Sequence, residues 1–479
     1  MARMHTDSAG LEGEATKPGT EGGVGRIGGR GWGGQAIGPS VWGETCVAWG
    51  LPMAGISTFN HAARIVALVT PRLPADAALR QELAVSSGMG TREKGAISRA
   101  VFAYFRWVRW CEPKDSLQKQ LADAWALHER FTADPKSIKP EALAARAVPA
   151  WLRDELEVTP EFLRQIQREP ALWLRARPGT APTLAEALGN CAPPPPAGQL
   201  DELAAGSSAV AKAMADKPTR PTVSDALRYS GPLDLFRTPE FHAGAFEIQD
   251  LASQLVGLAC APAPGETWWD ACAGDGGKTL HLADQMQNKG LIWATDRSAR
   301  RLDTLKRRAA RAKLFNYRTA PWDGGPKPPT KTKFDGILVD APCSGVGTWQ
   351  RNPHARWTTT PEDVRELAAA QRTLLEHVVG SLKVGGRLVY SVCTLTRSET
   401  TAVAEAFGAA HPELEACPLL QRPYVRGQTS DARSKTSGAG TSIPAPLTSD
   451  IWPLTSSAIS LWPQDLNANG MFIAAWRRN

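Results

Sequence analysis

Residues 334–357 read FDGILVDAPCSGVGTWQRNPHARW. Phe334–Val339 is an apolar run with branched residues, and it ends in Asp340-Ala341-Pro342-Cys343. Such a run, stopped by a proline, predicts a buried parallel strand. Cys343-Ser344-Gly345 then opens a loop just past the strand's carboxyl end, the edge at which open α/β sheets bind ligands. A carboxylate, a thiol and a glycine-rich loop at that edge point to chemistry.

The pattern around this stretch repeats the same unit. Thr267–Asp270, Leu291–Thr295, Arg387–Val392 and Met471–Trp476 are further strand candidates, and helices are expected at Leu251–Cys260, Thr279–Gln287, Ser298–Lys313, Pro361–Leu382 and Glu399–Ala410. This is the βαβ rhythm of a doubly wound parallel sheet, and it assigns residues 229–479 to one α/β domain. Upstream, residues 56–148 read as a helical domain. Its segment Lys94–Trp110 carries Ile97, Val101, Phe105 and Val108 at helical spacing. Arg99, Arg106 and Arg109 interleave with aromatics there. They fit either an RNA-facing helix or arginines snorkelling along an amphipathic one. Residues 149–228 read as a mixed α/β connector, with a strand-like ALWLRAR at Ala171–Arg177 and a proline-rich run at Cys191–Gly198. Residues 1–55 are glycine-rich and aperiodic and read as a disordered extension, and Gln428–Ser449 as a polar surface loop.

At 479 residues with 42% hydrophobic and 22% charged content, the chain has room for two or three domains. A net charge of +7 suits a polyanionic partner without demanding one. No apolar run approaches the roughly 18–20 residues of a membrane span, so no membrane partner is expected. Eight cysteines without CxxC spacing suggest reduced thiols rather than a disulfide framework or a zinc site. A cytoplasmic monomer follows as the expectation.

Two further sites surround the strand ends. Asp270–Thr279 reads DACAGDGGKT, between a strand and a helix. Gly274, Gly276 and Gly277 allow close backbone approach, and the new helix offers its N-terminus to an anion. The GxxxxGK[ST] spacing of a P-loop is absent, which argues against a nucleotide triphosphatase. Asp296, at the end of the next strand, suits the ribose hydroxyls of an adenosine-type ligand; it also suits capping the helix after it. Cys393 closes the run Arg387–Val392, so both it and Cys343 lie at strand carboxyl ends.

These residues resemble the RsmB/Nop/Sun family of RNA cytosine-5 methyltransferases. The resemblance runs over most of 229–479 and rests on FHAGAFEIQD, DACAGDGGKT, DAPCSGVGTWQRNPHARW, LVYSVCTL and the closing NGMFIAAWRR. It implies a class I Rossmann-like methyltransferase sheet. The helical region is more weakly similar to a NusB-like domain. It implies S-adenosyl-L-methionine at Cys272, Ala273, Gly274, Asp275, Gly276, Gly277, Lys278, Asp296, Asp323 and Asp340. It implies Cys393 as nucleophile and Cys343 as the cysteine assisting product release, with Asp340 and Lys278 serving the base. The implied partner is RNA, ribosomal first and transfer RNA second. Arg351, His354, Arg356 and Trp357 either line the base pocket or order its loop. Three positions depart from the family pattern: Asp275 stands for a proline, Gln350 for an arginine and Val392 for a threonine. Two other readings stay open at this point. A DNA cytosine-5 methyltransferase would use Cys343 as nucleophile, and a catalytically idle RNA-binding assembly factor would keep only the fold.

Overall fold

The computed structural model describes residues 55–71, 73–85, 88–194, 225–419 and 456–479. The expected extension at 1–55 (apart from Gly55), the second half of the proline-rich run and the polar stretch Gln428–Ser449 lie outside the described residues.

Helices come first: α1 (Gly55–Leu68), α2 (Ala75–Val85), α3 (Thr91–Trp107), α4 (Leu117–Ala133), α5 (Pro140–Arg146) and α6 (Pro160–Gln167). Ile65, Ile97, Val101 and Leu121 are buried in one core among the first four. A second core holds Trp107, Phe131, Leu152 and Phe162, and it also takes in Val346, Trp349 and Leu395. The loops that carry the two cysteines therefore contribute side chains to the helical core.

A small sheet follows, built from β1 (Leu172–Ala176), β2 (Cys191–Ala192), β3 (Ala226–Tyr229) and β4 (Phe246–Ile248), with α7 (Ala181–Leu188) between β1 and β2. Its order is β2-β3-β1-β4, antiparallel throughout. Two acidic groups buried behind it are both paired. Asp284 takes Arg175 and Arg177, and Glu247 takes Arg308 at 2.8 Å and Arg311 at 2.6 Å. Burial of such charges is tolerable only with partners of this kind, and the pairs tie the small sheet to the larger one.

The large sheet contains β5 (Thr267–Asp270), β6 (Leu291–Asp296), β7 (Tyr317–Pro321), β8 (Phe334–Asp340), β9 (Leu382–Val392), β10 (Leu414–Ala416), β11 (Ala458–Leu461) and β12 (Met471–Arg478). The order is β10-β12-β9-β8-β5-β6-β7, with β11 also on β12. The five consecutive strands from β9 to β7 pair parallel. Helices α8 (Leu251–Cys260), α9 (Gly277–Gln285), α10 (Ala299–Arg311), α11 (Pro361–Val379) and α12 (Thr401–Ala410) cover them. Alternation along the strands divides the core in two. Trp268 and Leu338 face α8 and α9, whereas Trp269, Ile337 and Val339 face α11 and α12. Each fully buried large side chain of this kind contributes roughly 1.5–3 kcal/mol. Local signals set the helix starts: Pro361 follows Thr360, whose capping box with Asp363 begins α11.

The parallel rhythm expected from the sequence fails at its last member. β12 runs antiparallel to β9, β10 and β11, because a short return from Leu461 to Met471 feeds it from β11 rather than a full helical crossover. The chain moves from β5 outward to β6 and β7, then crosses to β8 on the other side. The crevice between β5 and β8 is thus the switch point of the sheet.

Candidate active site

The carboxyl ends of β5, β6, β8 and β9 bring the expected residues together. Cys343 Sγ and Cys393 Sγ lie 3.3 Å apart. Lys278 Nζ, from the first turn of α9, donates to Asp340 Oδ2 at 2.7 Å, and Ser391 Oγ donates to Asp340 Oδ1 at 2.8 Å. Burial works to strip the Lys278 proton, but the Asp340 carboxylate overrides it and holds the ammonium above its ordinary range.

The two thiols sit in different fields. The Cys343 hydrogen bond holds the Cys393 thiol below its ordinary value, against burial and the Asp340 charge, and Lys278 assists. Accepting that charge as its neighbour, together with burial and the Glu399 carboxylate, pushes Cys343 well above its ordinary value. A thiolate at Cys393 and a proton on Cys343 is the arrangement this asymmetry favours.

The cofactor-type loop is shaped from behind as well as from the crevice. Gly274 (φ +54°) and Gly276 (φ +85°) are both left-handed. A Cβ at Gly274 would strike the Arg301 guanidinium, and one at Gly276 would strike Leu305 of α10. Asp296 accepts from Gly274 N at 3.0 Å and from Ser298 N at 2.8 Å. The same carboxylate therefore ties the glycine loop to the turn before α10, and each oxygen keeps a lone pair for a further donor. Asp275 is exposed, its Oδ1 3.7 Å from Nε of Arg301, whose Nη1 lies 3.6 Å from Asp296 Oδ2. Cys272 is half-buried, and Ala273 is buried. Asp323 is exposed, and its Oδ1 accepts from Gly325 N at 2.9 Å. Beside it an open cleft of about 480 Å³ is lined by Arg297, Trp322, Asp323 and Lys327. The strand end at Asp296, the N-terminus of α9 and this cleft set hydrogen-bond acceptors and donors along the same edge of the sheet.

Three contributors escaped sequence reasoning. Asp270 is fully buried; Thr279 Oγ1 donates to its Oδ2 at 2.6 Å, and its Oδ1 has no partner. Its only sequence signal is its place at the end of a strand candidate. Ser391 stands two residues before Cys393 and orients Asp340. Glu399 was assigned to a helix start, and it is instead fully buried against both cysteine loops.

Burial pushes the Asp270 carboxyl up to about 7 from its ordinary 3.8. A raised folded-state value means that its stabilising contribution is complete below 3.8 and is lost as pH rises through 7. Asp270→Asn should therefore gain on the wild type by an amount on the order of a few kcal/mol above that window and by nothing below it. Thermal denaturation of both proteins from pH 4 to 8 checks this.

The basic and aromatic residues of the loop do not line a pocket. Arg356 is fully buried and donates to Gln167 Oε1 at 2.8 Å, Trp349 O at 3.1 Å, Ala147 O at 3.4 Å and Ile166 O. Trp357 Nε1 donates to Phe105 O at 2.8 Å. His354 is buried edge-on against Phe105. Arg351 alone of these four is exposed. Arg106, expected either to face RNA or to snorkel, is 2% exposed and donates to Gln350 O at 3.1 Å. Gln350 is itself buried, bonded to Glu169 O at 3.1 Å and Gln165 at 3.4 Å. Arg109 stacks over Trp357 at 5.0 Å, and Val392 fills the sheet core.

Two glycines let the loops meet. Gly347 N donates to Cys393 O at 3.1 Å, and Gly470 N donates to Gly347 O at 2.7 Å. A Cβ on Gly347 would fall onto Gly470 O. Gly347→Ala should cost about 1–3 kcal/mol in chemical denaturation and spread the two cysteine loops apart.

Comparison with known proteins supplies the relatives. The family described as 16S rRNA methyltransferase RsmB/F matches residues 257–477. Residues 257–477 are thus similar to the RsmB/F methyltransferases. Probable ribosomal RNA small subunit methyltransferase B of Synechocystis is 39% identical over 211 residues, 43% of this chain and 46% of that one. Ribosomal RNA small subunit methyltransferase B of Shewanella oneidensis is 31% identical over 301 residues, 60% of this chain and 63% of that one. The family matches thus span less than two thirds of each of these relatives. The crystal structure of PH0851 shares the fold, with a TM-score of 0.60 at 20% identity over 89% of this chain and 99% of that one. Among the described residues no helix is long and apolar enough to cross a membrane, and no cluster of potential metal ligands occurs.

Proposed function

We propose that this protein is an S-adenosyl-L-methionine-dependent RNA cytosine-5 methyltransferase that acts on ribosomal RNA through a covalent Cys393–cytosine adduct. The carrying observation is the pair of thiols in contact, with a Lys278–Asp340 ion pair on the Cys393 side and a buried carboxylate on the Cys343 side. The names of the family relatives favour ribosomal RNA as the substrate. Such a substrate makes the cytoplasm the compartment of the activity.

Carbon 5 of cytosine is a weak nucleophile. Addition of the Cys393 thiolate to carbon 6 makes carbon 5 enamine-like, and covalent catalysis divides one hard step into easier ones. Asp340 accepts from the base's exocyclic amine, and Lys278 balances the charge as it develops. When bound, S-adenosyl-L-methionine supplies the electrophilic methyl group; Asp296, Asp323 and the loop Cys272–Lys278 hold it. Removal of the carbon-5 proton by a solvent base then re-forms the 5,6 double bond from the C–H electron pair and expels Cys393 as a thiolate, which the Cys343 thiol 3.3 Å away stabilises by hydrogen bonding. The target base must be single-stranded or flipped to reach the crevice.

An idle assembly factor finds its support in Asp275, but the charge of that residue faces Arg301 at 3.7 Å, and the two thiols are both in place. Methyl transfer from labelled cofactor to a broad pool of unmodified RNA tests the proposal. The wild type should label the RNA and Cys393→Ala should not. Absence of transfer by the wild type would overturn the reading.

A further inference from the structure

Glu399 has no part in the steps above, although it joins both cysteine loops. It is fully buried at the end of a 3-10 turn, Arg397–Glu399. Its Oε1 accepts from Ser344 N at 2.9 Å and from Gln371 Nε2 at 3.0 Å. Its Oε2 accepts from Thr396 Oγ1 at 2.8 Å, Thr394 Oγ1 at 3.3 Å and Ser344 Oγ. Ser344 directly follows Cys343, and Thr394 directly follows Cys393; their hydroxyls are 2.9 Å apart. Gln371 also donates to Pro342 O at 2.9 Å, just before Cys343. All these donors are neutral, so the charge stays uncompensated by an ion pair among the described residues.

We propose that Glu399 is a positioning residue that gives the two cysteines their separate roles. Through Ser344 and Thr394 it fixes the thiols in contact, and its charge lies on the Cys343 side. The groups facing the pair divide accordingly. Lys278 and Asp340 act on Cys393; Glu399 and the phenol of Tyr390 face Cys343, with Arg372 behind Tyr390. Burial, Cys343 and Glu399 all push the Tyr390 phenol up, so it stays neutral. The Glu399 charge disfavours a thiolate at Cys343 and leaves Cys393 as the ionised partner.

The separate roles rest on the proposed reaction, but the hold on the thiols does not, so the test reads the thiols directly. The full-length chain is alkylated with iodoacetamide across pH 6–10, and each cysteine is quantified by peptide mass spectrometry. The wild type should lose Cys393 first. In Glu399→Gln, which keeps the shape and removes the charge, the rate at Cys343 relative to Cys393 should rise about tenfold. The turnover number for RNA methylation should fall by about tenfold or more, with KM for the cofactor changed less than about twofold. Glu399→Asp, which restores the charge, should return the wild-type order of alkylation. If the glutamine variant does not fold, the aspartate variant carries the test, and equal reactivity of its two cysteines overturns the proposal. An unchanged alkylation ratio in folded Glu399→Gln also overturns it. A shifted ratio in a protein that methylates no RNA would uphold the role of Glu399 and remove the proposed reaction.

Discussion

Cys343→Ala should capture RNA and fail to release it, leaving a denaturation-resistant band of protein joined to RNA, while Cys393→Ala should form no such band and transfer no methyl group. The first loses the group that sits 3.3 Å from the nucleophile and holds the proton. Addition through Cys393 still proceeds, but its departure lacks the Cys343 hydrogen bond that stabilises the leaving thiolate. The second loses the nucleophile itself, and the fall in turnover should reach at least about 10⁴-fold. The opposite pattern, an adduct in Cys393→Ala and none in Cys343→Ala, would reverse the roles and favour the DNA-type cytosine mechanism. Gel mobility before and after ribonuclease treatment distinguishes the two outcomes.

Arg356→Met should be the most destabilising single change outside the cysteines. The guanidinium is buried without a carboxylate, and burial together with the nearby Arg106 charge presses it well below its usual range. It persists because Ala147 O, Ile166 O, Gln167 Oε1 and Trp349 O surround it. Methionine fills most of the volume but leaves those acceptors without a donor. Each lost bond to a charged group is worth about 1.5–3 kcal/mol, set against relief of the arginine's own desolvation, so a net loss of about 3 kcal/mol or more is expected in urea denaturation. Methyl transfer should fall with it, because Trp349 and Val346 anchor the Cys343 loop in the helical core. A variant as stable as the wild type would show that the helical region is not needed to hold that loop.

The large sheet was legible because its strands are buried on both faces and read as apolar runs stopped by glycine, proline or aspartate. The crevice was legible for the same reason: Asp296, Asp340 and Cys393 end such runs, and Cys343 follows one. Direction was less visible. Met471–Trp476 is as apolar as the parallel strands, and nothing in it distinguishes a strand fed by a hairpin. The antiparallel order of the small sheet was hidden too, since β2, β3 and β4 have only two to four residues each. Arg106 fitted an RNA-facing or a snorkelling side chain, and Arg356 a pocket or a loop-ordering role, because cations are seldom fully buried. Their acceptors are backbone oxygens at Gln350, Ala147, Ile166 and Trp349, and for Arg106 the partner lies 244 positions away. A carbonyl leaves no trace in composition. Glu399 shows the same limit: its donors come from Ser344, Gln371, Thr394 and Thr396, and only folding makes them neighbours.

The central claim is that the methyl group goes to carbon 5 of cytosine in RNA. The direct measurement is to incubate the protein with methyl-labelled S-adenosyl-L-methionine and unmodified small-subunit ribosomal RNA, digest the RNA to nucleosides, and identify the labelled one by chromatography and mass spectrometry. The account predicts label in 5-methylcytidine and none with Cys393→Ala. Label in any other nucleoside, or label in 5-methylcytidine that survives Cys393→Ala, would contradict it.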